Sequence, residues 1–250
     1  MKTYKLHLIR HAMTSENVEG KYIGQTDVPP SSEGLEQIRS MMKKDNGYPE
    51  ADVVISSPLI RCTETAKLIY PDRVPIILDD LIEYDFGDFE GCTAEELKDL
   101  DTFKTWLAGT EPETPVPFGE SQAEFNRRIC ECFIKIVDGI IMSGTDSTAV
   151  ITHGGIIMSI MAKFAIPEAP ASEWLTPNGC GYTLRVDPSV WRMGQKLEAY
   201  AECPPTPEQI DAERELWDTF DYDPDNDDYD ISDLIDDYTD YENSGGDNLS

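Results

Sequence analysis

The 250-residue chain has only three histidines, and its 20 lysines and arginines stand against 49 aspartates and glutamates, for a net charge of −29. Nucleic acid and anionic membrane surfaces repel so acidic a protein, so neither is an expected partner. No apolar run approaches the length of about eighteen residues that a membrane helix needs, and the N-terminus enters a strand pattern without a signal-peptide profile. The expected location is the cytoplasm. The six cysteines, at 62, 92, 130, 132, 180 and 203, are neither dense nor spaced as a zinc site, and Cys130-Glu131-Cys132 lacks the two-residue gap of a redox pair. They read as reduced thiols, mostly filling the core. The absence of any Gly-x-x-x-x-Gly-Lys-Ser/Thr run argues against P-loop nucleotide chemistry, and no internal repeat is visible.

The charge is unevenly spread. Residues 208–250 carry 17 acidic side chains against one arginine, which leaves −13 for residues 1–207. A composition shift at Pro204-Pro205 marks a boundary, giving an expected domain over 1–203 and an acidic extension over 204–250. In the extension, Thr206-Pro207-Glu208-Gln209 has a helix-start signature. Asp223 to Asp228 suggests a calcium loop but fails the pattern, with Asp228 where glycine is needed and Leu234 where glutamate is needed. Ile231, Leu234, Ile235 and Tyr238 fall at helical spacing, which allows a partner-binding or fold-back helix. The favoured expectation is a solvated, disordered tail.

The informative stretch is Leu6 to Asn17, LHLIRHAMTSEN. An apolar strand, Tyr4 to Ile9, delivers Arg10-His11 to a polar turn, and open α/β sheets place ligands at such strand ends. A second apolar strand, Thr148 to Thr152, ends in His153-Gly154-Gly155, whose glycines allow backbone amides to approach a phosphate. His7, inside the first strand, reads as structural. Further strands are expected at 52–55 and 74–78, with Gly181 to Val186 as the last. Helices are expected at 31–44, from Ser56-Ser57-Pro58 with Pro58 near the first position, over 93–107, and at 156–164. A capping box at Ser121-Glu124 opens a long helix with Phe125, Ile129, Cys132, Phe133, Ile136 and Ile140 on one stripe. Arg61 falls in the first turn of its helix, where the N-terminus would add to an anion site. The run Asp79, Asp80, Glu83, Asp85, Asp88 and Glu90 is so rich in carboxylates that spacing alone singles out none.

Four blocks resemble the histidine phosphatase superfamily, the phosphoglycerate mutase-like proteins. Arg10-His11 with Thr14 and Asn17 is similar to the first motif, continued by Gly24, Asp27, Pro29 and Gly34. Ser56 to Ala66 is similar to the second, Leu81 to Gly91 to the third, and His153-Gly154-Gly155 to the fourth. Position 12 is Ala where the family favours Gly, and Pro30 stands where Leu is usual. The resemblance spans about residues 3 to 186 and implies a three-layer α/β/α sandwich with a mostly parallel central sheet.

It also implies a mechanism without metal or cofactor, in which His11 attacks phosphorus and Glu83 acts as proton donor and then base. Arg10 and Arg61 would clamp the phosphoryl oxygens, assisted by Asn17, Gly24, Gly154 and His153, the last as imidazolium or as an N–H donor. The expected substrate is a small phosphorylated metabolite. Gly20 to Asp27 resembles the corresponding stretch of α-ribazole phosphatases, which makes α-ribazole 5'-phosphate a candidate. A mutase is the first alternative, but mutases of the family usually carry a longer segment than the 70 residues from Glu83 to His153. A non-catalytic phosphate-binding scaffold, using its tail for a protein partner, is the second. Oligomeric state is not encoded in any motif.

Overall fold

The computed structural model describes residues 2–43 and 47–205. Expectations for the extension, including its helix start and partner helix, and for the end of the first long helix at Lys44, lie outside the described residues.

In chain order the elements are β1 (Tyr4–Arg10), α1 (Ser15–Val18), α2 (Ser32–Met42), β2 (Val53–Ser56), α3 (Ile60–Ile69) and β3 (Ile76–Ile77). Then come α4 (Ala94–Leu97), α5 (Asp101–Ala108), α6 (Gln122–Ser143), β4 (Ser147–Thr152), α7 (Gly154–Phe164), β5 (Ala165–Ile166), β6 (Gly181–Val186), α8 (Pro188–Gly194) and β7 (Leu197–Cys203). The strands form one sheet in the order β3-β2-β4-β1-β6-β7-β5, and β6 alone runs against the rest. This is the expected mostly parallel sheet. One face carries α2 and α3, burying Ile38, Cys62, Ala66 and Ile69; the other carries α6 and α7, burying Ile129, Phe133, Ile156 and Ile160. The strands covered on both faces, β1 and β4, are the ones that read as continuous apolar runs.

Helix α6 shows how local sequence becomes architecture. Ser121 Oγ accepts from the Glu124 amide at 3.1 Å and Glu124 Oε2 accepts from the Ser121 amide at 3.0 Å, so two orphan donors of the first turn are satisfied reciprocally. All six residues of the expected stripe are buried, joined by Val137, and the helix stops at Gly144 with φ of 70°. At roughly 1.5–3 kcal/mol for each fully buried large apolar side chain, this stripe fastens the helix to the sheet. No described helix is long and apolar enough to cross a membrane.

Several expectations need correction. The strand expected over 74–78 shrinks to Ile76–Ile77, because Pro75 has no N–H for the ladder and a 3-10 turn starts at Asp79. The helical pattern over 93–107 divides into α4 and α5, interrupted by extended backbone at Leu100. Pro58 precedes the Leu59 cap of α3 and is not in its first turn. Gly181 to Val186 is not the last strand: β7 follows and pairs with it, after α8 capped by Asp187 with Pro188 at its first position. Glu198 and Glu202 interrupt the apolar residues of this thinly covered strand and obscure it in sequence.

His7 sits in the centre of the sheet with Nδ1 3.0 Å from Thr183 Oγ1 on β6 and Nε2 3.1 Å from Ser147 Oγ on β4. Burial, reinforced by Lys5, lowers its pKa from 6.5 to about 4. The folded state thus binds fewer protons than the unfolded state between these values, so its contribution to stability is complete above pH 6.5 and disappears as pH falls toward 4. Urea midpoints measured from pH 7 to pH 4 are expected to fall steadily across this window, and His7→Gln should flatten the decline.

Candidate active site

The site follows from strand register. β1 and β4 pair in parallel with Arg10 opposite Thr152, so the next residue of each strand is a histidine, and the His11 amide donates to Thr152 O at 2.9 Å. The two imidazole rings meet edge to face, 5.2 Å between centroids. Both are buried. His11 Nδ1 lies 2.8 Å from the carbonyl of Ala12, which accepts its proton and leaves Nε2 as the lone-pair nitrogen. Burial, then the Arg61 charge, lowers its pKa to about 3, and Arg10 adds to the effect. The ring is therefore neutral across the working pH range.

His153 is neutral as well. Its Nδ1 accepts from Arg61 Nε at 3.3 Å, which places the ring proton on Nε2, 2.8 Å from Ser57 Oγ and 3.5 Å from Cys62 Sγ. Burial and the neighbouring Arg61 hold its pKa well below 6.5. Burial and Arg61 thus favour the neutral ring over the imidazolium, with its N–H directed at Ser57.

Arg61 is 1% exposed and forms no ion pair with a carboxylate among the described residues. Besides His153, it donates through Nη1 to Thr26 O at 2.9 Å and through Nη2 to Gly24 O at 2.5 Å. Three of five guanidinium N–H groups are thus committed and two remain. Arg10 donates through Nη1 to Thr176 O at 2.7 Å, while its buried Nε–H has no partner among the described residues. A buried unpaired donor of this kind fits a ligand that brings acceptor oxygens.

Glu83 completes the group. It accepts from the Tyr84 amide at 2.9 Å and the Gly155 amide at 3.0 Å. Burial nonetheless raises its pKa, against those two bonds and the pull of both arginines. The glycines after His153 serve close approach: a Cβ on Gly154 would lie 3.3 Å from the Arg10 guanidinium carbon, and one on Gly155 2.8 Å from a Glu83 oxygen. The Gly155 amide goes to Glu83, so it is not the phosphate donor that the glycine pair suggests in sequence.

Two other expectations change, and that for Asn17 stands. Gly24 has its amide on Glu90 and its carbonyl on Arg61, and a side chain there would strike the Tyr84 carbonyl, so it holds Arg61 and offers no N–H to a ligand. The N-terminus of α3 gives its first amide to Asp27 at 2.7 Å, which removes that N–H from any anion site. Asn17 Oδ1 accepts from the Thr14 amide and from Asn178, both at 3.2 Å, which leaves its NH2 group as the free donor end.

Sequence reading missed the segment 176–179. Beyond Thr176, Asn178 donates to His11 O at 3.1 Å and the Gly179 amide to the carbonyls of Arg10 and His11, so this loop pins the end of β1 from across the sheet. It carries no motif, and only a fold could have brought it here. Thr65, inside the second block but assigned no role, accepts from the Ala12 amide at 2.8 Å. Among the described residues no cluster of three or more His, Cys, Asp or Glu is arranged around a metal position.

Comparison with known proteins agrees with this arrangement. An adenosylcobalamin/α-ribazole phosphatase of Salmonella typhimurium is 30% identical over 181 residues, 70% of this chain and 87% of that protein. A 2,3-bisphosphoglycerate-dependent phosphoglycerate mutase of Rhizobium etli is 28% identical over 198 residues, 74% and 93% of the two chains. The crystal structure of the α-ribazole phosphatase from Shigella flexneri superposes with a TM-score of 0.58 at 26% identity, covering 73% of this chain and 90% of that one. The pattern of the histidine phosphatase superfamily (branch 1) matches residues 6–196. With its two strand-end histidines, two arginines and buried glutamate on that frame, the chain belongs to the histidine phosphatase superfamily.

Proposed function

We propose that this chain hydrolyses phosphate monoesters through a phosphohistidine formed on His11. The observation that carries the reading is the fixed tautomer of His11: a neutral ring, its proton held by Ala12 O, with Nε2 left to attack beside two arginines that have uncommitted N–H groups.

In the first step the Nε2 lone pair forms a bond to phosphorus as the ester P–O bond breaks. The departing oxygen takes the Glu83 proton, which the raised pKa of this carboxyl keeps available. Arg10 Nε and the two free N–H groups of Arg61 bind the non-bridging oxygens, matching guanidinium donors to phosphate acceptors. The Asn17 amide donates to the same oxygens as charge accumulates, joined by His153 when its Nε2–H turns from Ser57 Oγ. In the second step Glu83, now a carboxylate, takes a proton from water as its oxygen attacks phosphorus. The P–N bond breaks, inorganic phosphate leaves, and both groups return to their starting forms.

Hydrolysis is favoured over phosphoryl return to a bound sugar acid by the segment of about 70 residues between Glu83 and His153, which is shorter than mutases of the family usually carry. The similarity to α-ribazole phosphatases makes α-ribazole 5'-phosphate the first ester to assay. We assign the catalytic domain to residues 1–203 and an acidic extension to 204–250. The six free thiols support a cytoplasmic location.

His11→Ala is expected to reduce ester hydrolysis to background and to abolish acid-labile labelling by 32P-substrate, with EDTA leaving the wild-type rate unchanged. Retained turnover in that variant would end the mechanism. For pH dependence, His11 stays unprotonated down to about pH 3, so the controlling group on the alkaline side is Glu83, active as acid only below its raised pKa. The expected profile of kcat/KM therefore falls as pH rises through that value. Glu83→Gln should remove this limb and cost roughly 10²–10⁴ in rate.

A further inference from the structure

Arg61 is a fully buried cation whose direct partners are carbonyls and one imidazole, while Glu83, Asp27 and Glu90 favour its charged form without touching it. The two carbonyls belong to the loop 24–26, and a single carboxylate, Glu90, organises that loop from behind. Glu90 Oε1 accepts from the amides of Gly24 and Gln25, both at 2.9 Å, and Oε2 accepts from the Thr26 hydroxyl at 2.9 Å.

One peptide unit joins the two ends. The amide between Gly24 and Gln25 gives its N–H to Glu90 and its C=O to Arg61 Nη2. A negative charge on the N–H side polarises that amide and makes its oxygen a stronger acceptor, as in any chain of hydrogen bonds in a low-dielectric interior. Thr26 repeats the connection with its hydroxyl on Glu90 and its carbonyl on Arg61 Nη1. A direct Arg–carboxylate pair would occupy the guanidinium fork and neutralise it against an incoming anion. A carboxylate one peptide away stabilises the cation and leaves two N–H groups free.

We propose that Glu90 is the positioning residue of Arg61, acting through the 24–25 peptide and Thr26 to hold the guanidinium charged and aimed at the phosphoryl group. The assignment rests on the reading of Arg61 as an anion clamp. Glu90 is half-buried and its carboxylate hydrogen-bonds only to residues 24–26 among the described contacts, so it acts on the site through this loop and Arg61.

The test uses the full chain and inorganic orthophosphate, titrated by calorimetry or 31P NMR. Glu90→Gln keeps an oxygen for the two loop amides, and the Thr26 hydroxyl can turn to accept from the new NH2, so the variant removes charge with little change in shape. It should bind orthophosphate about tenfold more weakly, the scale of one hydrogen bond to a charged group. Arg61→Lys should also weaken binding, and the double variant should lose little beyond Arg61→Lys alone, because the two residues act as one unit. Wild-type affinity in Glu90→Gln overturns the proposal, as do additive losses in the double variant. An unfolded Glu90→Gln protein would also overturn it, since the residue would then hold the fold and not the clamp. The hydrolysis reading is judged separately: a wild-type chain that binds orthophosphate but releases none from any ester refutes hydrolysis, while Glu90→Gln still decides the relay.

Discussion

The parallel pairing of β1 with β4 is the contact on which the rest depends. Six residue pairs, from Lys5 with Ser147 to Arg10 with Thr152, fix the register. A slip of one residue would turn every side chain of β1 to the other face and separate His11 from His153. Hydrophobic burial enforces the register from both sides, through Leu6, Leu8 and Ile9 on one strand and Ala149, Val150 and Ile151 on the other, all buried. Core packing, which has no chemistry of its own, is therefore what places one imidazole beside the other.

Burial also sets the electrostatic character of the site. Removing water lowers the pKa of both histidines and raises that of Glu83, so burial pushes all three groups toward their neutral forms. Burial works against the arginines too, but guanidinium starts so high that it stays charged. The result is a locally cationic cluster of side chains in an acidic protein. Long-range repulsion of a phosphate ester by the net charge of −29 is screened over about 10 Å at ordinary salt, whereas buried arginines act where screening is weak. Local field and global charge thus have opposite signs.

Legibility in the sequence followed distance along the chain. The long amphipathic helix α6 was readable from Ser121, Glu124 and its apolar stripe because capping and 3.6-residue periodicity are local rules. The same holds for the strands that end in His11 and His153. Short or thinly covered elements were not readable: β3 is limited by Pro75, and β7 interrupts its apolar residues with Glu198 and Glu202. At the site, the residue types were visible but several partners were not. Sequence offered Gly24 and the start of α3 as anion ligands, yet Glu90, Arg61 and Asp27 claim their polar groups. Thr176 and Asn178 reach Arg10 and His11 only because β6 lies beside β1. Choosing Glu83 among six nearby carboxylates required the family resemblance, and burial explains what distinguishes it physically.

The supports of the reactive groups are largely main-chain oxygens: Ala12 for His11, Thr176 for Arg10, and Gly24 and Thr26 for Arg61. A carbonyl is present whatever amino acid supplies it. The scaffold around the anion can therefore drift in composition while its architecture is inherited intact, provided the backbone path and the few crowded glycines survive. Relatives sharing no more than three residues in ten can occupy the same frame on these terms.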